Sequence, residues 1–351
     1  MNRRKFIKLS AVSAGAIIGK GLLTDNAKKA GAVNLSAAGG SISDIEVKSM
    51  KLKISYVTEI VNPKKSGENI QLWIPLPQSD DEQEVTQFAV DSPVAFHINA
   101  EPYFGNKMIY VGPNAFNKGD KISLAYTIRR KTAGTIIDKD EDIKKHLVLT
   151  EREQWNSNIT IFVDNAVKKD KEPLEIGRKI YHALIDHLTY NKSIPGCGLG
   201  ISAATFENKG GRCDDFHALF RTMMIYKEVP VKWEQGIPVP YPSVSTKNGQ
   251  MEGDCTGTHC WVRFYIGDGK WVPVDVSEGD KREDLRDYFF GTLSPNRFKV
   301  ATGRNIILNP PQGGDPLNTF PFAHGEAGGI PLIYGHHYRN VIRYEILEIE
   351  G

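Results

Sequence analysis

The segment Gly210-Gly211-Arg212-Cys213-Asp214-Asp215-Phe216-His217-Ala218-Leu219-Phe220 restricts the fold more than any other part of the chain. A glycine pair gives way to helical spacing, with Phe216, Leu219, Phe220 and Met223 at the i, i+3, i+4 and i+7 positions of one apolar face. This pattern predicts a helix that begins at Cys213. A thiol in that place meets free N–H groups and the positive end of the helix dipole, and both favour thiolate over thiol. Asp214 and Asp215 suit a first turn for the same dipolar reason, although negative charge beside a thiolate would raise its pKa.

Downstream, His259–Ile266 and Lys270–Val276 alternate with period two around Gly267-Asp268-Gly269, which predicts a β-hairpin. Cys260, Val262, Phe264 and Ile266 form the core-facing set, so Cys260 reads as a small buried hydrophobe. His259, Trp261, Arg263 and Tyr265 share the other face. A turn centred on Asp268 sets Trp261 opposite Asp275, with His259 as the diagonal neighbour on the same face. A base and a carboxylate able to orient it therefore converge.

At 351 residues, with 40% hydrophobic and 25% charged residues, the chain suits two globular domains. The opening Asn2-Arg3-Arg4-Lys5-Phe6-Ile7-Lys8, a short apolar run and Ala30-Gly31-Ala32 predict a twin-arginine export leader over 1–32. The apolar run, Leu9 to Gly19, is well short of the ~20 residues that span a bilayer. The expected localisation is therefore exported, periplasmic or otherwise extracytoplasmic, without a membrane span in the mature chain. Removing the leader turns the formal charge of +2 into 37 basic against 41 acidic residues, which excludes a basic field for nucleic acid. An Ala/Gly/Ser-rich linker occupies 33–45. Short alternating runs at Met50–Tyr56, Ile70–Ile74, Met108–Val111 and Ile122–Ile128, separated by glycine and proline, predict a β-sandwich over 46–145. The remainder, 146–351, forms the second domain. It opens with a helix from Pro173 to Leu188 and ends with a strand, Tyr338 to Ile349, that is expected to close its sheet.

The segments GRCDDFHALF, VPVKWEQGIPVP, THCWVRFYIGDGKWVPVDVSEGD and FFGTLSPNR resemble those of the transglutaminase-like (papain-like) cysteine enzymes, in particular their exported bacterial members. The resemblance runs from about Pro173 to the C-terminus. It implies an α+β catalytic domain, a Cys-bearing helix packed on an antiparallel sheet, preceded by a β-rich domain. It also implies a structural, hydrogen-bonding role for Asp215. Together with the local chemistry it makes Cys213 the nucleophile, His259 the base and Asp275 its orienting carboxylate. The expected reaction is acyl transfer from peptide or isopeptide amides through a thioester, with cell-wall peptide among the substrates, hydrolysis favoured over cross-linking, and no cofactor or metal required. The Cys213 backbone N–H is the first oxyanion donor.

Other readings of the same residues stand beside this one. His217, one turn after Cys213, is a competing base, and Tyr190 is either an oxyanion donor or a packed ring. Cys213, His217, Cys255 and His259 have spacings that a Cys₂His₂ zinc site accepts. Cys197 and Cys255 lie in glycine-containing loops and are candidates for a disulfide. A non-catalytic protein-binding module on the same fold is the alternative function. His182 and His187 belong to a helix surface, and His324, His336 and His337 have no spaced partners.

Overall fold

A computed structural model describes residues 7–8, 47–63, 69–194, 198–240 and 251–351. The leader and linker, apart from Ile7–Lys8, lie outside the described residues, as does Cys197 and with it the expected disulfide.

Two antiparallel sheets face each other in the β-rich part. The first runs Ile7–Lys8, Gln83–Asp91, Lys121–Lys131, Ser49–Ile60, Tyr338–Glu350 and Glu252–Asp254. The second runs Ile330–Pro331, His324–Ala327, Asn69–Leu76, Lys107–Ala115 and His97–Ala100. Period-two alternation puts Leu52, Ile54, Leu124 and Ile128 of one sheet into a single core with Ile70, Leu72, Ile109 and Val111 of the other. Each such side chain contributes ~1.5–3 kcal/mol by leaving water. The expected place of the last strand is corrected here. Tyr338–Glu350 pairs along the whole of Ser49–Ile60 and not with the sheet that carries His259. Its alternating apolar residues, Tyr338, Ile342, Tyr344 and Ile346, complete the sandwich core, so the packing does not divide where the chain order suggests.

The third sheet runs Arg297–Thr302, Val231–Pro238, His259–Tyr265, Lys270–Val274 and Ile136–Ile137, all antiparallel. Within it Val262 faces Val274 and Tyr265 faces Trp271, the register predicted from the glycine-rich turn. That turn takes three successive positive φ values, +96° at Gly267, +53° at Asp268 and +75° at Gly269, a conformation that glycine adopts without steric cost.

Among the described residues five α-helices complete the fold: α1 (Ser157–Val167), α2 (Pro173–His187), α3 (Ser202–Asn208), α4 (Cys213–Tyr226) and α5 (Val276–Lys281). Ile159, Val163 and Val167 form the buried stripe of α1, and the Asn156 side chain accepts the Ile159 N–H at 3.0 Å to start it. Helix α4 is buried on all sides from Cys213 to Ile225 and packs on the Cys260, Val262 and Phe264 face of the sheet, with the Phe220 and Phe264 ring centroids 6.3 Å apart.

The opposite face of the same strand is buried as well, and its fillings are ionic. Glu234 accepts hydrogen bonds from Trp261 Nε1 at 2.6 Å and Arg263 Nε at 3.0 Å, while Arg263 Nη2 reaches Glu82 at 2.5 Å. Arg130, from a sandwich strand, lies 3.2 Å from the same Glu82 carboxylate. The sheet bearing His259 is thus held between a layer of helices and the sandwich. Among the described residues no helix is long and apolar enough to cross a membrane.

Candidate active site

Helix α4 starts where the sequence places it, and Asp215 is the reason. Its carboxylate accepts the backbone N–H groups of Arg212 at 2.9 Å, Gly200 at 2.9 Å and Leu199 at 3.1 Å. One side chain thereby caps the helix and ties two loops to it. The glycine pair follows from this closeness, since a Cβ on Gly211 would lie 2.4 Å from Asp215 Cβ. Gly210 and Gly211 also pair in parallel with Thr189 and Tyr190, which fixes the approach to Cys213. The Tyr190 ring is packed, with Arg212 over it at 5.4 Å and Lys281 at 4.6 Å.

His259 and Asp275 come together as predicted, with Nε2 2.7 Å from Oδ2. Asp275 does more than pair with His259. It stands just beyond its strand as the N-cap of α5, its Oδ1 accepting the Glu278 N–H at 3.0 Å and the Ser277 hydroxyl at 3.1 Å. Its other oxygen also accepts Arg297 Nη1 at 2.5 Å. Burial alone would raise the Asp275 pKa, but His259, Arg297 and the hydrogen bond from His259 outweigh it and hold the carboxyl well below its usual range. The Arg297 charge does not titrate in this range, so Asp275 is ionised whatever His259 does. For His259 itself burial prevails: it pushes the pKa below the ordinary value, with Asp275 opposing and Arg297 assisting.

His217 joins this constellation in a manner the helical spacing did not show. Its Nδ1 is 2.7 Å from the Cys213 carbonyl oxygen, and its Nε2 accepts the Val276 N–H at 3.0 Å. The ring must therefore carry its proton on Nδ1, donated to Cys213 O. Fully buried, it bridges the backbone of the cysteine to the backbone that follows Asp275, and its centroid lies 6.3 Å from that of His259. With both nitrogens engaged on backbone, His217 serves as neither base nor metal ligand here. Cys213 sits at this junction with 2% of its surface exposed, and His259 with 7%.

The Cys₂His₂ zinc set is corrected on the same grounds. Cys255 packs in the sandwich core, its N–H bonded to Ile342 O at 2.9 Å and its thiol pushed up to about 12 by burial, whereas Cys213 lies in the core beneath the helices. His187 Nε2 donates to Phe206 O, 3.0 Å away, and its ring stacks on that of Phe206, so it is a packing residue.

Arg297 was not legible as a site residue, because a lone arginine after Ser294-Pro295-Asn296 carries no spacing signal. The helix-capping role of Asp275 was missed as well, since the strand was expected to run on to Val276 and ends at Val274; the signal was Asp275-Val276-Ser277-Glu278, which has the acid-x-x-Glu form of a helix start.

Residues 161–276 match the profile of the transglutaminase-like superfamily, a span that includes Cys213, His259 and Asp275. The chain is 22% identical over 338 residues to an uncharacterized protein of Haemophilus influenzae, covering 85% of this chain and 92% of that one. Its fold is similar to the crystal structure of a proposed cysteine protease from Cytophaga hutchinsonii, with a TM-score of 0.54, 14% identity, and coverage of 86% of this chain and 92% of the other. At that identity the likeness concerns architecture alone. The protein therefore carries a transglutaminase-like domain of α+β architecture, its cysteine helix packed on an antiparallel sheet.

Proposed function

We propose that the protein is a cysteine-dependent acyl hydrolase or acyltransferase acting on peptide or isopeptide amides, with Cys213 as nucleophile and His259 and Asp275 as its acid–base pair. The observation that carries this reading is the buried His259–Asp275–Arg297 cluster beside the start of the Cys213 helix. Asp275 occupies His259 Nε2, which leaves Nδ1 to take the thiol proton as sulfur attacks the carbonyl carbon. The tetrahedral oxyanion collapses to a thioester, and the same Nδ1–H delivers that proton to the departing amine. Water then hydrolyses the thioester, or a lysine amine captures it and leaves a cross-link. Burial holds His259 below its ordinary pKa, which suits it to act as general base at the moment of attack. We infer export from the leader-like 1–32 and the peptide-rich substrates this chemistry suits, cell-wall peptide included. No cofactor is needed for any step.

The test is alkylation followed by peptide mapping. Iodoacetamide should label Cys213 rapidly near neutral pH, and His259→Ala should slow that labelling at least about a hundredfold, the lower end of a general base's usual contribution. Equal rates in the two proteins would sink the pairing. The burial of Cys213 favours one alternative, a non-catalytic binding module, because a nucleophile with 2% exposure must be uncovered before substrate reaches it. That alternative predicts labelling of native Cys213 only under denaturing conditions. It also predicts no difference between wild type and Cys213→Ala when peptide and cell-wall libraries are profiled for cleavage.

A further inference from the structure

We propose that Cys213, Asp214 and Cys260 form an inhibitory site for a thiophilic divalent cation, zinc above all. One donor atom from each of the three lies within 4.8 Å of the other two, and all three residues are buried. A tetrahedral zinc with metal–sulfur bonds of roughly 2.3 Å sets its sulfurs about 3.8 Å apart, so side-chain rotation of about an ångström closes the set. Two thiolates and one carboxylate are a donor group that selects zinc over calcium or magnesium, and three protein ligands leave the fourth position to water.

The surroundings suit the charge of such a complex. Three deprotonated donors and one divalent cation sum to a single negative charge, placed at the N-terminus of α4 and within the field of Arg304. Both favour an anion. His217 Nδ1, which donates to Cys213 O, lies 3.4 Å from Cys260 Sγ, so the fixed ring packs against that sulfur from outside the coordination shell. Asp214 has no part in the acyl-transfer chemistry, yet its carboxyl is buried beside the two thiols. Binding releases the two thiol protons to solvent and needs no oxidant. This set differs from Cys213, His217, Cys255 and His259: it uses a second cysteine on the face of the sheet that meets α4, where Cys255 is not. The inhibitory consequence rests on Cys213 being the nucleophile, because a sulfur bound to zinc cannot attack a carbonyl; the binding itself does not depend on it.

Cobalt(II) added to the full chain reads thiolate ligation directly, through sulfur-to-cobalt charge-transfer absorption. The expected result is a band that saturates at one equivalent, falls by about half in Cys260→Ser and persists at weaker affinity in Asp214→Asn. Zinc should compete the band away, block iodoacetamide labelling of Cys213 and stop peptide cleavage, with EDTA reversing all three. No band in the wild type, or cobalt affinity unchanged in Cys260→Ser as a Cys213–His259 pair alone would give, overturns the proposal. Should Cys260→Ser fail to fold, unchanged affinity in Asp214→Asn overturns it equally. Because the band is read without substrate, a protein that binds cobalt in this way and cleaves nothing would sink the catalytic reading and leave the metal site standing.

Discussion

Asp275 and Glu234 are carboxylates of nearly equal burial, at 0% and 2% exposure, on the same layer of the molecule. For each, burial raises the pKa and neighbouring cations outweigh it, His259 and Arg297 for Asp275, Arg263, Lys299 and Arg130 for Glu234. They differ in what shares the charge. Asp275 is bonded to the His259 imidazole, a group able to take and release a proton near neutral pH. Glu234 is surrounded by arginine, lysine and an indole N–H, none of which does. The same physical device, a buried acid held ionised by arginine, can dock two layers together or keep a proton carrier in place. The titratable partner decides which.

The comparison can be broken most forcefully at Asp275. Asp275→Asn should lower kcat by roughly 10³–10⁴-fold per folded molecule, since an amide neither stabilises the imidazolium formed during attack nor enforces the productive tautomer. A variant with near-normal kcat would move Asp275 into the docking class. Next in size is Glu234→Gln, which strands Arg263 and Lys299 in the interface. It should cost about 3–5 kcal/mol in urea unfolding while the pH profile of kcat/KM stays in place. Normal stability with a displaced profile would erase the distinction drawn here.

A third test concerns Asp214, whose folded pKa of about 6 stands above the unfolded value of 3.8. The unfolded state loses this proton first as pH rises, so folding stability declines between those values and the loss is complete above about 6. Asp214→Asn removes that penalty and should stabilise the protein by up to about 3 kcal/mol at pH 8, with no gain below pH 3.8. Chemical denaturation at the two pH values measures it, and an equal effect at both would mean that Asp214 is not buried as an acid. The smallest effect is on the acid limb of kcat/KM. His259 must be neutral to accept a proton and burial holds it below 6.5, so the midpoint should fall under that value. A midpoint above it would point to a resting thiolate–imidazolium pair instead.

What was legible in the sequence depended on local periodicity. The helix start at Cys213 and the hairpin that sets Trp261 opposite Asp275 could both be read, because a glycine pair and a glycine-rich turn fix backbone geometry within a few residues. The sandwich strands were legible as alternation. Helix α1 was not, since its stripe of Ile159, Val163 and Val167 is sparse and its cap is a single asparagine. Nor could alternation reveal that both faces of His259–Tyr265 are buried. Arg263 and Glu234 look like surface charges until each is seen to satisfy the other. The role of His217 depends on a backbone N–H that is 59 residues away, and no spacing rule reaches so far.

One pairing has a consequence for how the protein is made. Ser49 lies beside Glu350, 301 residues further on, and Ile60 beside Tyr338, so a central strand of the sandwich gains its neighbour long after it is itself synthesised. Until then Ser49–Ile60 has an unmatched edge, the kind of surface on which nascent chains aggregate. The sandwich therefore closes only after the sheet that carries His259 has been synthesised, and a chaperone that shields the open edge in the meantime would raise the yield of folded protein.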